Sequence, residues 1–217
     1  MNALSKDISS QLIRVYEQTA LDFEKSGEYE KSLEYYDKCL DACKRTGDEE
    51  QEAKCYYKMG LIFEQINDMD KAILYLNKYL QQSLSLNNFE RVSEAYKLLA
   101  DKYKKIGKLE ESKNCLEKLL DVKVENKDIV LKIKAEAALK LGTLEYEAGH
   151  VSTAVTFLEK NFDMAREIKD KQYIDKAKIN LGIAKAYSSL EIFKSIVKND
   201  QQAFLNWKIK RIMQAPQ

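Results

Sequence analysis

Four thiols and one imidazole are the side chains of this sequence best suited to chemistry: Cys39, Cys43, Cys55, Cys115 and His150. Cys39 and Cys43 lie one helical turn apart, a spacing that can present two sulfurs to one thiophilic ion. A zinc site of the usual kind needs a second close pair of ligands. None with such spacing exists, and His150 is the only histidine. The expectation is four reduced thiols packed as small apolar side chains, with no metal and no cofactor.

Other catalytic arrangements are missing too. There is no glycine-rich phosphate loop. His150 follows Gly149 at a turn between helical stretches, so no serine or cysteine has it as a credible base, and it is expected to be solvated. Asp48, Glu49 and Glu50 fall at a predicted helix start, where carboxylates suit the helix dipole. Lys102, Lys104, Lys105 and Lys108 are expected to form a solvated face. The sequence therefore points away from an enzyme.

The elements that would position these residues come from a repeat. A small residue follows a larger one at Thr19-Ala20, Met59-Gly60, Leu99-Ala100, Leu141-Gly142 and Leu181-Gly182, and the small residues are spaced 40, 40, 42 and 40 apart. Each of the first four is followed by a turn residue (Gly27, Asn67, Gly107, Gly149), then by a second small residue (Ser32, Ala72, Ser112, Ala154). One turn further stands a large residue: Tyr36, Leu76, Leu116 and Leu158. Aromatics flank the first small residue at Tyr16, Tyr56 and Tyr96, and at Phe23, Phe63 and Tyr103. Such a unit is a pair of antiparallel helices. The small residues let the helices approach, the Gly or Asn ends the first helix in the left-handed region, and the large residues fill the space between. A single pair cannot bury its apolar face, so several must stack.

These residues resemble the tetratricopeptide repeat, with its Trp/Tyr, Leu-Gly, Tyr, Ala, Phe spacing, over about residues 12 to 187. The period of about 40 exceeds the family's ~34, and Lys44, Leu84, Val124 and Arg166 stand where its closing proline falls. In the fourth copy Ala138 and Glu145 replace the two aromatics. The expected fold is all-α, an α-α superhelix of about four helical hairpins with C-terminal capping helices. Repeats are placed near 12–48, 49–88, 89–127 and 128–170, with a half repeat at 171–189, giving an array over 1–189. Residues 190–217 would then form a capping or docking helix and tail. Helices are expected at 8–25, 29–45, 49–65, 69–85, 89–106, 109–124, 128–148, 151–168, 171–188 and 190–213, the last with a break near Asn199-Asp200.

Charge and hydropathy narrow the partners. Basic and acidic side chains number 36 and 35, leaving a net charge of +1, so neither nucleic acid nor an anionic membrane is an expected partner. No apolar run approaches the ~20 residues of a membrane span. The segment from Met1 to Ser10 carries Lys6 and Asp7 and lacks an apolar signal core. A cytoplasmic or ciliary protein is expected, partnered by protein, its oligomeric state left open.

In the family, the first helix of each pair lines a concave face. The resemblance therefore implies a partner groove at Arg14, Glu17 and Leu21, then Lys54, Tyr57 and Leu61, then Lys97 and Asp101, then Leu139 and Tyr146. The basic clamp that some members use on chaperone tails is absent, since Glu17, Leu21, Tyr57 and Leu61 occupy its places. Nor is there the asparagine ladder of the longer-repeat spindle-orienting members: Leu21, Leu61, Asp101, Thr143 and Ile183 stand there. What remains is an apolar patch at Leu21, Tyr57 and Leu61, a charged middle, and an apolar end at Leu139, Ile179 and Ile183. Two readings stay open: a site for an amphipathic helix or extended segment, or side chains that pack on one another or are covered by the chain's own tail. The stretch from Leu181 through Phe193, Leu205, Trp207, Lys208 and Arg211 resembles the end of ciliary tetratricopeptide repeat proteins. It implies an axonemal role near dynein arms on doublet microtubules, with Trp207, Lys208 and Arg211 as a docking tail.

Overall fold

The computed structural model describes residues 3–121, 126–199 and 201–213. Among them are ten helices and no strand: α1 Ala3–Ser26, α2 Tyr29–Thr46, α3 Glu49–Gln65, α4 Met69–Ser85, α5 Phe89–Lys105, α6 Leu109–Leu120, α7 Lys127–Glu147, α8 Val151–Ile168, α9 Lys171–Asn199 and α10 Gln201–Met213. The fold class is all-α, as expected.

Local chemistry sets the boundaries. Asn67, Asn87 and Lys169 take positive φ at turns, as do Gly27, Gly47, Gly107 and Gly149. Several helices then start on a side-chain cap. Asp48, Asp68 and Asn88 accept from the backbone N–H of Gln51, Lys71 and Arg91, at 3.1, 3.1 and 3.2 Å. A left-handed residue followed by an Asp or Asn cap turns the chain within two or three residues, which forces neighbouring helices to lie antiparallel.

The chain forms two compact units, Met1–Asp121 and Val122–Gln217. In the first, α1 packs on α2, α3 on α4 and α5 on α6, and the hairpins stack through α2 on α3 and α4 on α5. In the second, α7 pairs with α8, α9 packs on α8, and α10 folds back on α9.

Within a hairpin the crossing is closed in two ways. Where the first small residue is glycine, the large residue of the second helix lies directly against it: Gly60 under Leu76 and Gly142 under Leu158. Where it is alanine, a serine hydroxyl donates to its carbonyl oxygen instead. Ser32 Oγ donates to Ala20 and Ser112 Oγ to Ala100, both at 2.8 Å and both buried. Gly182 differs, because a Cβ placed there would meet nothing within 4 Å.

A second contact recurs that the sequence pattern had not included. Tyr35 of α2 packs on Tyr16 and Phe23, and Tyr75 of α4 on Tyr56 and Phe63, the Phe pairs stacked at 5.5 and 5.1 Å. Lys38 and Lys78 lie over these tyrosine rings at 4.4 and 4.7 Å. Cys115 and Phe157 hold the same register in the next two copies, and Lys118 and Lys160 continue the lysine position over Tyr96 and Phe157.

Two expectations are corrected. No break falls near residue 189: α9 runs unbroken for 29 residues, since Ser188-Ser189 supplies neither a left-handed residue nor a proline. Lys102 is not solvated but 4% exposed, its charge met by Glu64. His150 is exposed at its turn, as expected, and its Nδ1 also lies 2.8 Å from Oε2 of the buried Glu145, the residue that replaces an aromatic in the fourth copy. No described helix is long and apolar enough to cross a membrane.

Candidate interaction grooves

In the first unit, the facing sides of α1 and α3 enclose an open cavity of about 470 Å³. Leu21 and Leu61 line it together with Ile62, and Glu24, Lys25 and Gln65 add polar groups. The apolar residues follow from helical spacing: Leu61 stands one residue after the crossing glycine, on the side away from α4. Across this cavity Lys58 Nζ bonds both oxygens of Glu24, at 3.3 and 3.2 Å, and the Tyr36 hydroxyl donates to Glu24 at 3.2 Å. Burial, then the neighbouring Glu24, raises Tyr36 far above the ordinary phenol value and keeps it a neutral donor.

Toward α5 the face closes on itself. Tyr57 donates to Glu94 at 3.2 Å, Tyr79 donates to the other oxygen at 3.0 Å, and the two rings pack at 5.1 Å. Glu64 binds Lys102, and also Lys105 at 2.5 Å. Burial pushes the Glu64 carboxyl up, but the bonds from both lysines outweigh it and hold the group below its usual value. In the charged middle, Glu94 is thus held by two tyrosines and Lys105 by Glu64.

In the second unit a cavity of about 510 Å³ lies between α7 and α9 over α8. Leu139 and Thr143 form one wall, and Tyr173, Lys176 and Asn180 the other. Asn161 reaches it from α8 and is 1% exposed. Its Nδ2 donates to the Ala135 carbonyl at 2.7 Å, but its Oδ1 is buried without a donor. A buried acceptor left open costs on the order of 1–3 kcal/mol, a cost that a ligand N–H would offset once the amide turned its oxygen toward the cavity.

The residues expected in the groove thus separate. Leu21 and Leu61 meet in the first cavity, and Leu139 lines the second. Tyr57 is engaged with Glu94, and Lys54 donates to Gln51 Oε1 at 3.1 Å. Arg14 is exposed, while Glu17, Lys97 and Asp101 are half-buried. Tyr146 packs edge-on against Tyr187 at 5.6 Å. In the tail, Trp207 sits on Phe193 at 4.5 Å and Lys208 over Phe204 at 5.3 Å, while the Arg211 side chain lies outside the described residues. Asn161 was missed because it belongs to a second helix. Its signal was a lone amide in the buried register of Tyr79 and Leu119.

The structure also joins thiols that lie apart in sequence. The sulfurs of Cys39 and Cys43 of α2 and Cys55 of α3 all lie within 4.8 Å of one another. Hydrogen bonds from the other two thiols lower Cys39, and the same bonds raise Cys55, so the three ionise in steps as one group.

Stacked helical hairpins with an open face between first helices define a tetratricopeptide-type fold, and the chain carries such repeats. Two models of the tetratricopeptide repeat match it, at residues 11–85 and 93–123. Among solved structures it is similar to the apo form of RapI, with a TM-score of 0.71 at 14% identity, covering 93% of this chain and 60% of that one. The apo form of the quorum sensor NprR from B. thuringiensis gives 0.61 at 18% identity, over 94% of this chain and 58% of that one. The chain thus spans about 60% of the length of RapI and NprR. BtubC from P. vanneervenii gives 0.60 at 19% identity, over 100% and 94% of the two chains. No curated protein sequence matches.

Proposed function

We propose that the chain is a non-enzymatic protein-interaction scaffold that holds an extended segment of a partner in the groove between α7 and α9. The observation that carries this is Asn161, whose buried Oδ1 lacks a donor at a cavity walled by Leu139, Thr143 and Asn180. An extended peptide offers backbone N–H groups at regular intervals and side chains for the apolar wall. The repeat fold supports the reading, and a related fold serves the quorum sensor NprR. This is the adaptor form of a scaffold, recognising short segments. Peptides selected on the folded chain from a random display library test it, with binding read by fluorescence anisotropy. Binding lost in Asn161→Ala and Leu139→Asp, at unchanged helicity, supports the groove; peptides that bind both variants as well as the parent overturn it.

The tail resemblance carries a finer placement, on an axoneme near dynein arms. Its support is the sequence around Trp207 and Lys208 alone. Retention on doublet microtubules after detergent extraction is its test, and release into the soluble fraction argues against it.

A further inference from the structure

We propose that Cys39, Cys43 and Cys55 form a buried trigonal thiolate site for copper(I). The three sulfurs come from two hairpins: Cys39 and Cys43 lie one turn apart on α2, and Cys55 faces them from α3. They are 0%, 0% and 1% exposed. A metal–sulfur bond of about 2.3 Å sets the sulfurs of a trigonal plane about 4 Å apart, within the spread found here.

Packing alone does not call for three thiols. The same registers at the next hairpin interface hold Tyr79, Ser83 and Ala95, all buried. A phenol, a hydroxyl and a methyl therefore fill that interface in the same fold. Three of the chain's four cysteines converge on the first interface instead.

The donor set selects the ion. Soft thiolates favour copper(I) and zinc. A structural zinc site wants four ligands. Among the described residues, the only group of three or more metal-capable side chains gathered at one point is this trio. Copper(I) is satisfied by three sulfurs and gains from a site closed to water and oxygen. On binding, each thiol that becomes a thiolate releases its proton to solvent, and no electron is transferred.

The test uses the full chain, kept anaerobic, and loaded with copper(I) both in the native state and during refolding, against bicinchoninate as competitor. The repeat itself supplies variants that fit: Cys43→Ser copies Ser83, and Cys55→Ala copies Ala95. One copper(I) per chain is expected in the parent and in Cys115→Ser, with a thiolate-to-copper absorption band and a raised Tm. Both trio variants should fold, by circular dichroism, and lose the bound copper and the Tm rise. Copper taken entirely by the competitor under both loading conditions overturns the proposal. So does copper retained equally by Cys55→Ala, or zinc(II) held in preference to copper(I).

Discussion

Gly142 lies so close beneath Leu158 that a Cβ on it would stand 2.6 Å from the leucine Cγ, and 3.3 Å from the Ala154 carbonyl oxygen. That approach belongs to the hairpin crossing, and it makes the glycine a packing requirement rather than a turn device. Gly142→Ala should lose about 1–3 kcal/mol of stability through overpacking, more than the ~1 kcal/mol a helical alanine gains over glycine. Gly60→Ala should lose less, because its Cβ would stand 2.9 Å from Leu76 Cγ and 3.5 Å from the Ala72 carbonyl oxygen, each a wider gap than at Gly142. Gly182→Ala, with open space around it, should be neutral or stabilising by up to about 1 kcal/mol. Urea denaturation of the three variants checks the order. Equal losses at all three positions would mean that the crossings are not where the structure puts them.

Glu64 ties α3 to α5, and its contribution depends on pH in a stated direction. Its folded pKa is depressed, so the ion pairs stabilise the fold above the unfolded carboxylate value of about 4.3. That stability is lost as the pH falls through the lower folded value. Glu64→Gln leaves the buried Lys102 without its carboxylate and should cost about 1–3 kcal/mol near neutral pH. The variant should also show a shallower fall in Tm below about pH 4.3 than the parent. A parallel acid limb in both proteins would remove Glu64 from the account.

The serine clasps can be opened singly. Ser32→Ala and Ser112→Ala each delete a buried hydroxyl bond and should cost about 0.5–1.5 kcal/mol. Ala72 and Ala154 already occupy the equivalent place in the other two hairpins, so no shape penalty adds to the loss. Thermal unfolding of the two variants measures it.

Trp207 is the only tryptophan, which makes its seat on Phe193 observable. Phe193→Ala should shift its emission to longer wavelength and weaken the packing of α10 on α9, at about 0.5–1.5 kcal/mol for the aromatic contact beyond its burial. Helicity of the rest of the chain should hold. An unchanged emission spectrum would place the indole elsewhere.

Much of this was legible from spacing alone. The turn residues Gly27, Asn67, Gly107 and Gly149, and the buried Tyr36, Leu76, Leu116 and Leu158, sit where the repeat put them. Local signals carry such positions, because a left-handed turn and a small-to-large crossing each need one residue type. Partnerships across helices were not legible. Lys102 looked like one lysine among several, and only Glu64, 38 residues earlier, gives it a buried role. Tyr57 looked like an anchor for a partner until Glu94 and Tyr79 were beside it. Cys55 showed no tie to Cys39 and Cys43, because the spacing of thiols along the chain does not report how α2 lies on α3. Asn161 escaped because the groove was read from first helices only.

The Ser32 and Ser112 hydroxyls make two backbone carbonyls unusual oscillators. The oxygens of Ala20 and Ala100 sit within helices and accept a hydroxyl from across the hairpin as well, using both lone pairs. A doubly bonded acceptor of this kind stretches at lower frequency than a singly bonded helical carbonyl. An isotope label on Ala20 or Ala100 would therefore report the closure of its own hairpin in the amide infrared band. In the hairpin closed on Gly142 the Ala135 carbonyl plays the same part, with Asn161 Nδ2 as its second donor, so the opening of these hairpins becomes separable by labelling one carbonyl at a time.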